Sequence, residues 1–481
     1  MSACATPPLW SLTATELATG YRSGDFTPAA AMEAVFKRLD AVNPALNAVI
    51  AIDREGASLA AAESTRRWQN GKPLSGLDGV PITIKDNLYL KGLPATWGSR
   101  LHRDFVPNHD EAPVASLRAA GALLFGKTNV PEFTVQGYTS NLVFGTTYNP
   151  HAPGRTPGGS TGGGAAAVAA GIGPLAIGTD AGGSIRRPAA HCGLFALKSS
   201  IGHVPRYDGF PQILADFEVI GALGRSPADL ETLRTVLEVF DPGDPRSLAS
   251  TVELRPLPAS PRIAFMPVIG TNPVDPLIAA EAQRIARALE ADGAFVETIA
   301  APFDPDRTTH AWGAIMQAGL AWYLSKFDNW QDLANSSARA IAEDGARKTT
   351  GEVLDALAAA ADIRRAAGQF FQTYDLLLCP ATAALAWPAD TIFPSKIDGQ
   401  TVGPRGHAVF TGWMNVTGQP AVTVPVAMTL EGGGIGLQIV AGHGRDRDLL
   451  DFLIRSPTFR SLSPSPLAKL DQSHDNALAA I

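Results

Sequence analysis

The sequence predicts an α/β protein, one mixed body of strands and helices with a helical insertion after about residue 300. Three observations carry this reading. Short β-rich runs alternate with glycine-bearing turns and helix-forming stretches between residues 80 and 180, residues 309–374 are almost wholly helical in pattern, and strand signals return after them. No fixed-period repeat or low-complexity linker divides the chain. The pattern delimits 1–70 as an N-terminal helical segment packing on the core, 71–240 as the core, and 241–481 as the remainder of the α/β body, including the helical region 309–374.

Each element has a local reason. Thr13 followed by Glu16 has capping-box spacing, and Thr27 with Pro28 reads as an N-cap with proline at the first helical position. Residues 80–84 (VPITI) form a β run ending at Lys85-Asp86-Asn87, and residues 122–125 form another ending at Gly126-Lys127-Thr128-Asn129, with a helix expected over 114–120 between them. The alanine run 165–170 predicts a helix that starts just after a glycine cluster, and 174–177 the buried strand that follows. Ser226-Pro227 opens an amphipathic helix through Val239, and 276–291 is another, stopped by Gly293. Strands are expected over 263–265, 295–299, 376–379, 422–426 and 435–440, with a last helix from about Asp446. The proline clusters at 256–261 and 464–466 mark surface loops.

Composition bounds the function. The chain has 481 residues, 45% hydrophobic and 18% charged, which separates it from disordered sequences and permits a large core. Asp plus Glu number 46 against 39 Lys plus Arg, a net charge of −7, so no global basic field exists to hold a polyanion and a direct nucleic-acid partner is not expected. Cys4, Cys192 and Cys379 are too scattered for a disulfide framework, which fits a reducing cytoplasm, and the N-terminal MSACATPPLW lacks the pattern of a secretory signal. The uncharged stretch 156–179 is dominated by small residues, so it reads as buried backbone rather than as a membrane span.

Eleven glycines fall between Gly154 and Gly183, where the chain average would place about three. Clustering this tight points to a local backbone requirement. Two serines sit inside it: Ser160 in PGGSTGGG, at the expected start of a helix, and Ser184 in GTDAGGSIRRP, ending a loop that leaves a strand. Ligands of open α/β sheets bind beyond the carboxyl ends of strands, and Ala181-Gly182-Gly183 lets successive N–H groups converge on one point, a nest suited to an oxyanion. A phosphate cradle is the first rival, but neither GxxxxGK[ST] nor a suitably placed GxGxxG is present. The second is a nucleophile elbow at Gly158-Gly159-Ser160-Thr161-Gly162, an esterase-like reading using Ser160 with His443 as formal base, although loop-like residues precede it instead of a strand. A serine without a histidine needs another base. Lys85 is the candidate, because burial at a strand end lowers a lysine pKa, whereas at the ordinary value only about one in 2,500 would be neutral at pH 7. Singly, a strand-end lysine is ordinarily a solvated charge and a serine beside glycines a turn residue; the argument rests on their conjunction.

The runs GVPITIKDN, AAGALLFGKTNVPEF, PGGSTGGGAAAVAAGIGPLAIGTDAGGSIRRPAAHCGLFALK and NVTGQPAVTVP together resemble the amidase signature family, from about residue 10 to 455. The intervals of 75 residues from Lys85 to Ser160 and 24 from Ser160 to Ser184 agree with that pattern. The resemblance implies a single large mixed β-sheet surrounded by helices and a serine amidohydrolase that releases ammonia or an amine through an acyl-enzyme. It implies Ser184 as nucleophile, Ser160 as the bridging serine in a cis peptide arrangement, Lys85 as base, and the backbone N–H groups of Ala181, Gly182, Gly183 and Ser184 as the oxyanion hole. Asp180 and Arg186 match the same block as supports of the oxyanion loop or as a plain ion pair; Thr161 stands where a second serine is commoner, and Ser199 where a proline is usual. No cofactor and no metal are implied, and His191 and Cys192 read as packing.

Substrate identity is the open part. Phe133, Tyr138, Tyr207 and Trp413 are candidate pocket residues, and the region 309–374, with Trp312, Trp322, Tyr323 and Trp330, is a candidate wall for an apolar acyl or aryl group. The expected partner is a small-molecule amide, with a homodimer left open. The alternative of a different class is the glutaminase-type component of a tRNA-dependent amidotransferase, productive only in complex.

Overall fold

The computed structural model describes residues 7–429, 431, 433–463 and 465–470; Cys4 with the rest of the first six residues of the N-terminal stretch read above for a signal, and Pro464, lie outside them. Strands are β1 (Val49–Ile52), β2 (Pro81–Lys85), β3 (Leu123–Thr128), the short pair β4 (Ser140–Asn141) and β5 (Gly145–Thr146), β6 (Leu175–Asp180), β7 (Phe195–Lys198), β8 (Val219–Gly224), β9 (Arg262–Phe265), β10 (Phe295–Thr298), β11 (Leu376–Pro380), the short pair β12 (Lys396–Ile397) and β13 (Gln400–Thr401), β14 (Ala421–Thr429) and β15 (Gly433–Ala441). Eleven of them form one sheet in the order β1-β3-β2-β6-β8-β7-β14-β15-β11-β9-β10. It is mixed: β2 runs parallel to β3 and β6, and β9 parallel to β10 and β11, while the strands between are antiparallel. Strands β2, β3, β6 and β8 are buried along their whole length, which is why they read as continuous apolar runs rather than alternations.

Helices cover both faces. The first group is α1 (Ala14–Ser23), α2 (Pro28–Leu46), α3 (Arg54–Gln69), α4 (Ala112–Ala119), α5 (Gly162–Ala169), α6 (Arg186–His191), α7 (Pro227–Leu237) and α8 (Pro276–Ala291). Thr13 and Glu16 form the expected capping box, and Thr27 caps α2 ahead of Pro28. Met32, Val35 and Leu39 of α2 pack with Leu123 and Phe125 of β3 and Ala166 of α5. The region after 300 is four helices, α9 (Pro305–Leu324), α10 (Trp330–Leu333), α11 (Ser336–Ala346) and α12 (Thr350–Phe370), whose apolar faces join Trp97, Phe133, Phe210 and Phe217 in a second core beside the sheet. The chain closes with α13 (Gly412–Thr417), α14 (Asp446–Arg455) and α15 (Pro457–Arg460).

The structure corrects the sequence reading in particular places. The first seventy residues are not helical throughout, because β1 pairs with β3 at the sheet edge. Strands β7 and β8 have no counterpart among the expected elements: each carries glycine next to it or inside it, and Gly221 is required because a Cβ there would lie 2.2 Å from the Leu197 carbonyl oxygen. Helix α5 begins inside the glycine cluster at Gly162, three residues before the alanine run. There a side chain on Gly163 would lie 2.4 Å from the Asn129 backbone nitrogen, so glycine lets the helix press on the loop after β3. Residues 156–179 are a loop, α5 and most of β6, all buried, and among the described residues no helix is long and apolar enough to cross a membrane.

Candidate active site

The parallel register of β2 and β6 pairs Ile84 with Ile177, which sets the carboxyl ends of the two strands side by side. Lys85 ends β2 and is completely buried. Its ammonium donates to Ser160 Oγ at 2.9 Å, to Thr179 Oγ1 at 2.9 Å and to the Thr179 carbonyl oxygen at 3.0 Å. Burial pushes Lys85 down to about 7, against the pull of the Glu218 and Asp180 carboxylates. Glu218 is itself held by Arg206, which also bridges to Glu111, so a buried charge network stands behind the lysine. Ser160 follows a cis peptide bond from Gly159. A side chain at 159 would lie 2.3 Å from the Tyr138 carbonyl oxygen, so the loop closes only around glycine. Thr161 donates its N–H to the Ser184 carbonyl at 3.0 Å and its hydroxyl to the Thr179 carbonyl at 3.3 Å, tying the two serine segments to β6.

The segment 181–184 leaves β6 as a tight loop, with Gly183 at φ +106. Asp180, fully buried, organises it. Its Oδ1 accepts from the Gly183 N–H at 2.7 Å and its Oδ2 from the Ile185 N–H at 3.1 Å, while Arg186 bridges to both oxygens. Burial alone would raise the Asp180 carboxyl; Arg186 outweighs it and holds the group far below the usual carboxylate range. Arg186 extends the brace to the Thr411 carbonyl, Asn415 Oδ1 and Gln438 Oε1. Of the four N–H groups named for an oxyanion hole, that of Gly183 is therefore engaged by Asp180, whereas those of Ala181, Gly182 and Ser184 donate to no group among the described residues.

Ser184 opens on a small cavity that Trp312, Met316, Gln136, Arg187 and Arg405 also line. Trp312 and Arg405 border in turn a larger cavity of about 560 Å³. Trp413 lines this second space, its ring tilted against that of Phe303 with centroids 4.6 Å apart. Phe133 is buried against Trp97, Tyr138 contributes backbone behind Gly159, and Tyr207 hydrogen-bonds Asp241; none of the three lines the cavity at Ser184. Of the aromatic residues named from 309–374, Trp312 lines the cavity at Ser184, while Trp322 is turned outward beneath Lys326 and Tyr323 bonds His102. His443 lies against Ile201 and His203, and residues 156–159 ahead of Ser160 form no strand, so the elbow geometry is not formed. His191 and Cys192 are buried, the histidine edge-on to Trp387. Thr179, Glu218, Thr411, Asn415, Arg187 and Arg405 escape a reading of the sequence. The doubled arginine after Ser184-Ile185 signals Arg187, and Thr179 stands in the same string without a signal of its own, whereas Glu218, Thr411, Asn415 and Arg405 arrive from other segments.

The family model for amidases matches residues 30–450. The chain is 35% identical over 451 residues to an acylamidase of Rhodococcus erythropolis, covering 90% of this chain and 92% of that one. It is 33% identical to an indoleacetamide hydrolase of Bradyrhizobium diazoefficiens, covering 92% and 86%, and 31% identical to one chain of the glutamyl-tRNA(Gln) amidotransferase of Chloroflexus aurantiacus, covering 90% and 93%. Among solved structures it is similar to a bacterial aryl acylamidase, with a TM-score of 0.85 at 26% identity, over 95% of this chain and 97% of that one.

Proposed function

The chain belongs to the amidase signature family and hydrolyses an amide C–N bond, and from that premise we propose how its residues divide the reaction. Lys85, neutral, takes a proton from Ser160 Oγ as Ser160 takes one from Ser184 Oγ, and Ser184 Oγ attacks the amide carbonyl carbon. The oxygen of the tetrahedral intermediate sits among the N–H groups of Ala181, Gly182 and Ser184, each donor worth about 3 kcal/mol in comparable sites. Asp180 and Arg186 act on the reaction through the shape of that loop. As the C–N bond breaks, the leaving nitrogen receives its proton from Ser160, which is resupplied by the Lys85 ammonium. Water then adds to the ester by the reverse relay, releasing the acid and restoring Ser184.

The observation that carries this reading is the 2.9 Å contact from Lys85 to Ser160 in a site that brings the lysine to about 7. Intact-mass analysis across a panel of amides tests it: the native chain gains the mass of one acyl group, Ser184→Ala gains none and loses turnover at least 10³-fold. Near-normal turnover by Ser184→Ala would overturn it. The amidotransferase relative supports a second reading, in which the chain releases ammonia efficiently only in complex with partner proteins; robust turnover by the chain alone decides against it. We also place the protein in a reducing compartment, a reading supported by free, buried Cys192 and Cys379.

A further inference from the structure

The cavity at Ser184 contains two cations and no acid among its lining residues. Elsewhere in the buried site each guanidinium has a carboxylate, Arg186 with Asp180 and Arg206 with Glu111 and Glu218. Arg187 and Arg405 have none among the described residues. Arg187 is 2% exposed. Its N–H groups go to neutral acceptors, the carbonyls of Gly182 and Gly159 and the hydroxyl of Thr411, and its Nε has no partner. Arg405 is half-buried; its guanidinium lies over the Trp312 ring at 4.1 Å and makes neither a hydrogen bond nor an ion pair among the described residues. Trp312 is fixed in turn by donating Nε1–H to the Ala181 carbonyl at 2.6 Å, so the platform under Arg405 is built into the oxyanion loop.

Asp180 attracts both charges, but no carboxylate among the described residues pairs with either of them. Asp180 is committed to Arg186, the Gly183 N–H and Asn415. His191 and His407 face Arg187 and are kept neutral by burial and by the arginine itself. Asp306 borders the larger cavity on which Arg405 also opens, with no ion pair between them. Burial lowers Arg187 to about 9 and Arg405 to about 10, which leaves both charged at neutral pH. Unpaired like charges in a largely buried cavity are unfavourable, and an anionic ligand offsets that cost through charge-assisted hydrogen bonds.

We propose that the substrate is a small amide bearing a carboxylate, which Arg405 and Arg187 bind beside the carbonyl attacked by Ser184. The proposal rests on the assignment of Ser184 as nucleophile and deepens it by naming the substrate class. The carboxylate belongs either to the acyl part or to the amine part, and two substrate pairs separate these: succinamate against butyramide, and N-butyrylglycine against N-propylbutyramide. With the full-length chain, the charged member of one pair has at least a tenfold higher kcat/KM. Arg405→Gln brings that ratio to within twofold of unity, mainly through KM, and Arg405→Lys restores part of it. Arg405 is the decisive position because its guanidinium hydrogen-bonds no protein group among the described residues and rests on the Trp312 ring, whereas Arg187 also holds the Gly159 and Gly182 carbonyls. Neutral amides cleaved as well as or better than their charged counterparts in both pairs would overturn the proposal. Succinate as a non-reacting ligand gives a readout independent of turnover. It raises the melting temperature of the native chain and of Ser184→Ala but not that of Arg405→Gln. Retained stabilisation with near-normal amide turnover by Ser184→Ala therefore sinks the nucleophile assignment, and no stabilisation of the native chain sinks the carboxylate site.

Discussion

Lys85 shares its burial with two other lysines, and burial lowers all three: Lys85 and Lys198 to about 7, Lys127 to about 8. What distinguishes them is reach. Lys198 donates to the Ser199 and Gln419 carbonyls and Lys127 to those of Asp86 and Leu88, whereas Lys85 alone touches a serine hydroxyl. A perturbed pKa therefore marks a buried charge, and geometry picks out the base. Because the reaction needs Lys85 unprotonated, kcat/KM should rise with pH through about 7 and level off above it. Lys85→Met should remove that limb and lower kcat by about 10²–10⁴-fold, as measured in a pH–rate series. Asp180→Asn leaves the buried Arg186 charge uncompensated and should cost about 3–5 kcal/mol in urea unfolding, with activity lost even where the chain remains folded. Lys85, Ser160 and Ser184 are legible in sequence because they sit inside unusual local strings. Arg405 and Trp312 are not, since each is an ordinary residue until the fold carries it 221 and 128 positions along the chain to Ser184.

At the scale of elements, the helices are the most legible part, because capping residues and prolines mark their starts in the sequence itself. Strands β7 and β8 hide because a strand buried on both faces lacks alternation, and the glycines that fit them between neighbours look like turn signals. Two further glycines fix how the helical layer meets the site. In α9, a Cβ on Gly319 would lie 1.8 Å from the Ile213 carbonyl oxygen, and in α11 one on Gly345 would lie 1.9 Å from the Gln317 carbonyl oxygen. Both obstacles are backbone, so neither moves cheaply. Since α9 carries Trp312 and Met316 to the cavity at Ser184, Gly319→Ala should raise KM as well as lower the melting temperature. Alanine at the exposed and unobstructed Gly403 should change neither, which steady-state kinetics beside thermal melts will check.

The whole molecule carries a titrating joint away from the serines. His203, after β7, lies 3.5 Å from Glu238 at the end of α7 and 3.3 Å from Asp446 at the start of α14. Arg234 and Ser200 complete the surroundings, and the His443 ring stands 5.8 Å from that of His203. Burial, with Asp446 next to it, raises Glu238 to about 7; His203 is raised too, since the two carboxylates outweigh its burial. Both groups hold protons more tightly folded than unfolded. The contribution of these two groups to stability should therefore be fullest at low pH and fall as pH rises from the ordinary carboxylate range through about 7, opposite in sign to that of the lowered Asp446 beside them. Glu238→Gln should flatten that fall, with a melting temperature above the native chain's at pH 8 and close to it at pH 5. The sequence discloses that strands return after the helical region, yet not where they lie, because nothing local records sheet order. They lie in the middle: β14 pairs with β7 and β15 with β11, so the last hairpin joins residues 49–224 to residues 262–380. During synthesis the first two portions of the sheet leave the ribosome with one edge of β7 and one edge of β11 unpaired, and only the arrival of residues 421–441 closes the gap. A chain interrupted before that hairpin carries two open hydrogen-bonding edges, which makes stalled or truncated products of this protein templates for aggregation.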